Sequence, residues 1–160
     1  MARVEQVSIS NGGVPKRAIP EARVTRDGLV GDWQNDRKHH GGPDRAVCLM
    51  SSELIARLNG EGHPIAPGTT GENLTLSGVD WPTLEPGVRL RIDGADPVEL
   101  EVVRYATPCK TIKESFAGGQ FERISQKTHP GESRIYTRVL REGVVRVGDP
   151  VQILPVAATA

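Results

Sequence analysis

Cysteine is nearly absent from this chain of 160 residues: only Cys48 and Cys109 are present, too few for the disulfide framework that staples small secreted domains. A reducing compartment is the expectation. Charge of one sign is missing as well. Lys plus Arg and Asp plus Glu number 20 each, so no global field draws the protein to nucleic acid or to an anionic membrane. Long apolar runs are also lacking. None approaches the ~18 residues of a membrane span, and the opening Met1-Ala2-Arg3-Val4-Glu5 is charged at once, unlike a leader. The chain is therefore expected to be cytoplasmic, with no nucleic-acid and no membrane partner, and any anion site in it must be local. Aromatics are sparse too, at 4%, against 18 Gly and 12 Pro, which favours short strands joined by tight turns.

What is present fits one domain over residues 1–160. A chain of this size removes roughly 70% of its unfolded surface from water on folding, and its mean hydropathy of -0.35 is ordinary for a soluble protein. No repeat and no linker interrupts it. Val4 to Ser10 and Glu21 to Arg26 read as strands with hairpin-like spacing. Ala46 to Met50 is an apolar run of strand length, leading to Ser51-Ser52-Glu53, where a serine can cap a helix whose Leu54, Ile55 and Leu58 share a face. Asn73 to Leu76 is a short strand. Val88, Leu90 and Ile92 alternate with arginines, and Val98, Leu100 and Val102 follow after the Asp93–Pro97 turn, which predicts a hairpin. Lys110 to Ser115 and Phe121 to Gln126 read as short helices, and Ile135 to Leu140, Val144 to Val147 and Val151 to Leu154 as closing strands. Strands at this spacing predict a mainly β fold, a closed or nearly closed barrel with a few short helices, rather than a βαβ sheet.

Four segments could carry chemistry. In Gly31 to Arg45, adjacent His39 and His40 would point to opposite faces of a regular strand, so at most one of them could join Asp32 around a metal. A hydrogen-bonded loop histidine is the other reading. Gly41-Gly42 would let backbone amides approach an anion. In Pro67 to Thr75, the residues Thr69, Thr70, Glu72 and Asn73 either line a pocket or bond the local backbone of an ordinary turn. In Ala106 to Thr111, Cys109 follows a proline at a strand end. A helix start and the adjacent Lys110 would both stabilise its thiolate, suiting metal ligation or nucleophilic attack. Cys48, flanked by Ala46, Val47, Leu49 and Met50, reads as a buried and inert thiol. In Gly131 to Val139, Arg134 and Arg138 share a strand face, where they meet either solvent or an anion. Fifteen of the twenty basic residues are Arg, whose planar fork suits oxyanions, although genome composition explains such a bias equally well.

In combination these segments resemble the MOSC domain family, named for the C-terminal domain of molybdenum-cofactor sulfurases. The resemblance rests on Asp27-Gly28-Leu29-Val30-Gly31-Asp32, His40-Gly41-Gly42, Gly71-Glu72-Asn73-Leu74, Pro108-Cys109, and Arg138-Val139-Leu140 with Gly143 and Gly148-Asp149, over residues 27–150. It implies a barrel of the MOSC or pyruvate-kinase-barrel-like kind and a cysteine, Cys109, that ligates molybdenum or carries sulfur. The molybdenum cofactor (molybdopterin) would then be lined by His40, Gly41, Gly42, Arg45, Thr70, Glu72, Asn73, Lys110, Arg134 and Arg138. Larger members carry a sulfurtransferase domain, a further N-terminal barrel or a ferredoxin-like domain, for which 160 residues leave no room. Many relatives have an aromatic pair where this chain has only Tyr136.

The resemblance thus implies an oxidoreductase component that reduces small N-hydroxylated compounds, with electrons from a separate reductase. A second reading is a sulfur or cofactor carrier that uses a Cys109 persulfide and a partner sulfurtransferase. A third is a metal hydrolase built on Asp32 with His39 or His40.

Overall fold

The clearest alternation in the sequence becomes the most regular part of the structure. In the computed structural model, which describes residues 1–33 and 42–156, β7 (Arg89–Ile92) and β8 (Val98–Tyr105) form the expected antiparallel hairpin, with Leu90 opposite Leu100 and Ile92 opposite Val98. Their apolar residues point inward and their arginines and glutamates outward. The remaining strands are β1 (Arg3–Ile9), β2 (Arg17–Ile19), β3 (Glu21–Thr25), β4 (Gly28–Leu29), β5 (Val47–Ser51), β6 (Leu74–Ser77), β9 (Ile135–Arg141), β10 (Gly143–Arg146) and β11 (Val151–Leu154). An eight-stranded sheet runs β11-β7-β8-β9-β5-β6-β1-β2, and a three-stranded sheet runs β10-β3-β4.

The hairpin-like spacing of the first two predicted strands does not produce a hairpin. After the loop at residues 10–16, β2 returns along one edge of β1, pairing Val7 with Ile19, while β6 holds the other edge. No edge of β1 remains for β3, which turns into the small sheet and pairs with β10. The expectation of no βαβ unit is likewise corrected. β5 and β6 are parallel and are joined by α1 (Ser52–Gly60), whose first turn is capped where expected: Ser51 Oγ accepts the Leu54 amide at 3.1 Å. The predicted helices after Cys109 are short three-ten turns at Lys110–Ser115, Ala117–Gly119 and Phe121–Ile124.

Neither sheet closes on itself. The start of β1, beyond the reach of β2, meets the residue before β11 at one antiparallel bridge, Arg3 to Pro150, supported by the Val4 amide on the Asp149 carbonyl (2.9 Å) and the Val151 amide on that of Ala2 (3.0 Å).

Two apolar clusters flank the large sheet. Val47, Leu49, Leu74, Leu90, Leu100 and Val139 pack on one face with Val24, Leu29 and Val145 of the small sheet. On the other face, Met50 packs with Leu54, Ile55 and Leu58 of α1 and with Ile112, Phe116 and Ile124 of the three-ten turns. Every residue of β5 is buried for this reason, which accounts for its continuous apolar run. Leu49, fully buried between β6 and β9, sets the expected cost of a cavity. Leu49→Ala should destabilise the fold by about 3 kcal/mol, read as a lower urea midpoint at unchanged m-value.

Candidate functional site

The polar residues of interest gather on the outer face of the large sheet, where the covering layer begins. On β5, Cys48 stands opposite Tyr136 of β9. The thiol of Cys48 is buried, and that burial pushes it up to about 11 against the milder opposing pull of the Arg134 cation. A buried, protonated thiol is a poor nucleophile, in line with the apolar neighbours of Cys48 in the sequence.

The Gly68–Asn73 turn is held by its own side chains. Glu72 is fully buried and both of its oxygens are used: Oε1 accepts the Thr70 hydroxyl at 2.8 Å, and Oε2 accepts the Gly68 amide and the Thr75 hydroxyl, each at 3.0 Å. The turn needs glycine at position 68. There φ is +86°, and a Cβ would lie 2.5 Å from the Lys16 carbonyl oxygen. Asn73 is equally committed. Its Oδ1 accepts the Cys48 amide at 3.0 Å, and its Nδ2 donates to Asp32 Oδ2 at 2.9 Å and to the Ser8 carbonyl at 3.3 Å. Glu72 and Asn73 therefore organise the backbone around the site, which is the ordinary-turn reading of this segment.

Asp32 is enclosed by donors. Lys16 Nζ lies 2.7 Å from Oδ2, both side chains being 5% exposed or less, and the Ser10 amide donates to Oδ1 at 2.9 Å. These bonds leave it poorly placed to ligate a metal. His39, His40 and Gly41 lie outside the described residues. Among the described residues no group of three or more His, Cys, Asp or Glu side chains could hold a metal ion, so nothing in the described part supports the hydrolase reading.

The arginines separate sharply. Arg138 Nη2 meets Asp44 at 3.1 Å and its Nη1 meets Glu101 at 3.2 Å, so its charge is already matched. The guanidinium of Arg45 sits 5.9 Å from the centre of the Tyr136 ring. Arg134, 7% exposed, donates from Nη1 to the Thr70 carbonyl at 2.7 Å, and its Nε is buried without an acceptor.

Cys109 follows β8 by four residues, is partly exposed, and has its Sγ 2.9 Å from the Thr111 hydroxyl. The turn that it opens is three-ten and six residues long, too short to bring the helix dipole invoked from sequence. Lys110 is exposed, and Gly42 is exposed with φ +87° ahead of the Pro43–Arg45 turn.

Tyr136 has no local feature that marks it in the sequence, yet it stands opposite Cys48 and beneath the Arg45 guanidinium. Burial chiefly raises its hydroxyl to about 12, with Cys48 and Cys109 adding to the shift and Arg134 and Arg45 opposing it. The available signal was the strand period, which puts Tyr136 between Arg134 and Arg138 on one face. The turn after Cys109 is tied to the Gly68–Asn73 turn through Ser115 Oγ and Thr69 Oγ1, 2.9 Å apart.

Two outcomes follow. In native protein at pH 8, iodoacetamide should label Cys109 and spare Cys48, with both labelled after unfolding, as read by intact mass. Because the folded state holds the Cys48 proton from the ordinary 9.0 up to about 11, the unfolded chain loses it first as pH rises. Stability should therefore fall across that window, and the Cys48→Ala variant should show less of the fall in urea midpoints. Separately, Asn73→Ala strands the Cys48 amide and should cost about 2 kcal/mol, measured in the same way.

A sequence model of the MOSC domain matches residues 36–152. The chain is 31% identical over 150 residues to YflK of Bacillus subtilis (strain 168) and 26% identical over 138 residues to YiiM of Escherichia coli (strain K12). These alignments take in 89% and 84% of this chain but 63% and 59% of the relatives, so the chain spans less than two thirds of their length. The crystal structure of YiiM from Geobacillus stearothermophilus has the same fold, with a TM-score of 0.72 at 22% identity over 97% of this chain and 76% of that one. The motif order, the fold and the match over most of its length agree: the chain belongs to the MOSC domain family.

Proposed function

We propose that this chain, as a single MOSC domain of residues 1–160, binds the molybdenum cofactor with the Cys109 thiolate as molybdenum ligand. In this reading it is the cofactor-holding component of an oxidoreductase for small N-hydroxylated compounds, working in the cytoplasm with a separate electron-transfer reductase. The observation that carries it is a partly exposed thiol, Cys109, opening a turn that is tied through Ser115 and Thr69 to the Gly68–Asn73 turn, where the Thr70 carbonyl accepts the buried Arg134. MOSC domains are generally associated with this cofactor. The reading takes the large sheet, bridged from Arg3 to Pro150, as the wall of a barrel.

The donor set suits the group. A soft thiolate favours a molybdenum centre, and a buried guanidinium with an unpaired Nε suits the oxyanion of a pterin phosphate. Cys109, Arg134 and Arg45 would hold it, with Gly42, Thr70 and Lys110 at the rim and His40 and Gly41 contributing backbone or ring contacts. When bound, the cofactor supplies two-electron oxygen-atom chemistry, which no side chain offers. The chain's own residues do the rest. Thr111 holds the Cys109 sulfur in place, Tyr136 stays protonated at working pH as a hydrogen-bond donor, and the Glu72 and Asn73 networks fix the turn beneath them.

Metal and pterin analysis tests this reading directly. Protein made in a cofactor-competent host should carry molybdenum and pterin together, and Cys109→Ser should lose most of the metal. A chain that stays empty, with no reduction of N-hydroxylated substrate after loading, overturns it. The accessible thiol also favours the carrier reading, in which the Cys109 thiolate attacks the outer sulfur of a persulfide on a partner sulfurtransferase, breaking that S–S bond and releasing the partner's thiolate. A one-sulfur mass adduct absent from Cys109→Ser would select that reading.

A further inference from the structure

Lys16 and Arg134 are the buried Lys and Arg side chains among the described residues. They are treated very differently. Lys16 has the Asp32 carboxylate at 2.7 Å. Arg134 has no carboxylate partner within 4.0 Å among the described residues, whereas the less buried Arg138 and Arg123 each have two. Glu72 is the nearby buried anion, but its oxygens are taken by Gly68, Thr70 and Thr75. It communicates with Arg134 through one residue: the Thr70 hydroxyl faces Glu72 and the Thr70 carbonyl faces Arg134.

The single hydrogen bond that Arg134 makes uses Nη1. Nε is buried with no acceptor, and among the described residues the hydrogen bond of the guanidinium is the one from Nη1. The open side of the guanidinium is therefore its Nε–Nη2 edge, whose two N–H bonds run parallel and match two oxygens of one oxyanion. An open fork on a buried cation is costly in the absence of such a partner. It is also well suited to one, because a dry setting strengthens each bond.

We propose that the Nε–Nη2 edge of Arg134 is an oxyanion site that takes a phosphate-type group through two parallel N–H···O bonds on the sheet face shared with Tyr136 and Cys109. Arg138, equally prominent in the sequence, is not part of it, since Asp44 and Glu101 hold both of its terminal nitrogens. Two sources offer this chemistry: the phosphate of a bound pterin cofactor, which rests on the reading above, and a free or substrate-borne phosphate, which does not.

The test uses full-length, cofactor-free protein labelled with nitrogen-15 arginine and titrated with inorganic phosphate at constant ionic strength. One solvent-protected Nε–H signal, missing from the spectrum of Arg134→Lys, should shift saturably. Affinity should drop about tenfold or more in Arg134→Lys, which keeps the charge but loses the fork, and should be unchanged in Arg138→Lys. If no protected Nε–H signal responds, or if Arg134→Lys binds phosphate as well as wild type, the site does not exist. If Arg134→Lys fails to fold, Arg134→Gln takes its place for both the assignment and the affinity comparison. Repeating the titration on cofactor-loaded protein separates the sources. A lost response assigns the edge to the cofactor's phosphate, and a retained one to a second ligand; both uphold the site. A chain that cannot be loaded yet binds phosphate through Arg134 would defeat the cofactor reading and leave this one standing.

Discussion

The side chain of Asn73 holds together the part of the molecule on which the site depends. It lies just before β6, where three lengths of backbone converge, and a β5–β6 pair that has only begun leaves polar groups without ladder partners. Asn73 supplies them: its backbone amide donates to the Cys48 carbonyl, its Oδ1 accepts the Cys48 amide, and its Nδ2 reaches both Ser8 and Asp32. A side-chain amide offers two N–H donors and an oxygen acceptor at once without bringing charge, and Asn73 uses both ends. A carboxylate here would sit against Asp32, and an apolar residue would strand the Cys48 amide. Through this one contact the start of β6 is fixed to β5, to the end of β1 and to the buried Lys16–Asp32 pair.

Buried charge around that anchor is arranged in two unlike ways. Lys16 and Asp32 neutralise each other in direct contact, an arrangement that fixes the loop containing Lys16 against the loop containing Asp32 and leaves little for a ligand to gain. Glu72 and Arg134 do not touch. Glu72 is satisfied by an amide and two hydroxyls, all neutral donors, so its charge is solvated by the fold itself. Arg134 receives one carbonyl. The same number of positive and negative groups is present, yet among the described residues it is Arg134 that keeps a buried side-chain nitrogen with no partner. Structural need accounts for the first three. It does not account for a guanidinium placed with an open edge at the margin of the core.

The chain's own alternation made much of this legible. The β7–β8 hairpin, the Ser51 cap and the buried character of Cys48 all rest on local patterns whose physical cause lies within a few residues, and each is present as read. What the sequence hid was non-local. Nothing within residues 17–19 shows that β2 will occupy the edge of β1 and send β3 into the other sheet, because that outcome depends on where β6 docks from a distance of more than fifty residues. The parallel β5–α1–β6 unit was obscured by its short helix, nine residues long. At the site, Arg134 and Arg138 looked equivalent because strand period places them on one face. Only the partners brought by β8 and by the Pro43–Arg45 turn distinguish them. Tyr136 is no plainer in the sequence, since Cys48 and Arg45 reach it from segments about ninety residues away.

The location of these groups follows from how the large sheet is covered. Its inner face is filled by aliphatic residues from both sheets, which leaves no polar surface there for chemistry. Its outer face changes character along its width. Where it is bare, across β7, β8 and part of β9, it carries Arg89, Arg91, Glu99, Glu101 and Arg138 in cross-strand ion pairs. Where α1 and the three-ten turns cover it, it becomes apolar, with Met50 at the centre. Cys48, Tyr136 and Arg134 fall at the boundary, where side chains are screened from water without being sealed in a packed core. Cys109 opens the very turns that form the cover. A thiol placed there is held by the covering layer and yet reachable from outside, and the Ser115–Thr69 contact couples that layer to the turn beneath Arg134. The accessible thiol and the open guanidinium are thus two products of one architectural fact: the cover stops at this line.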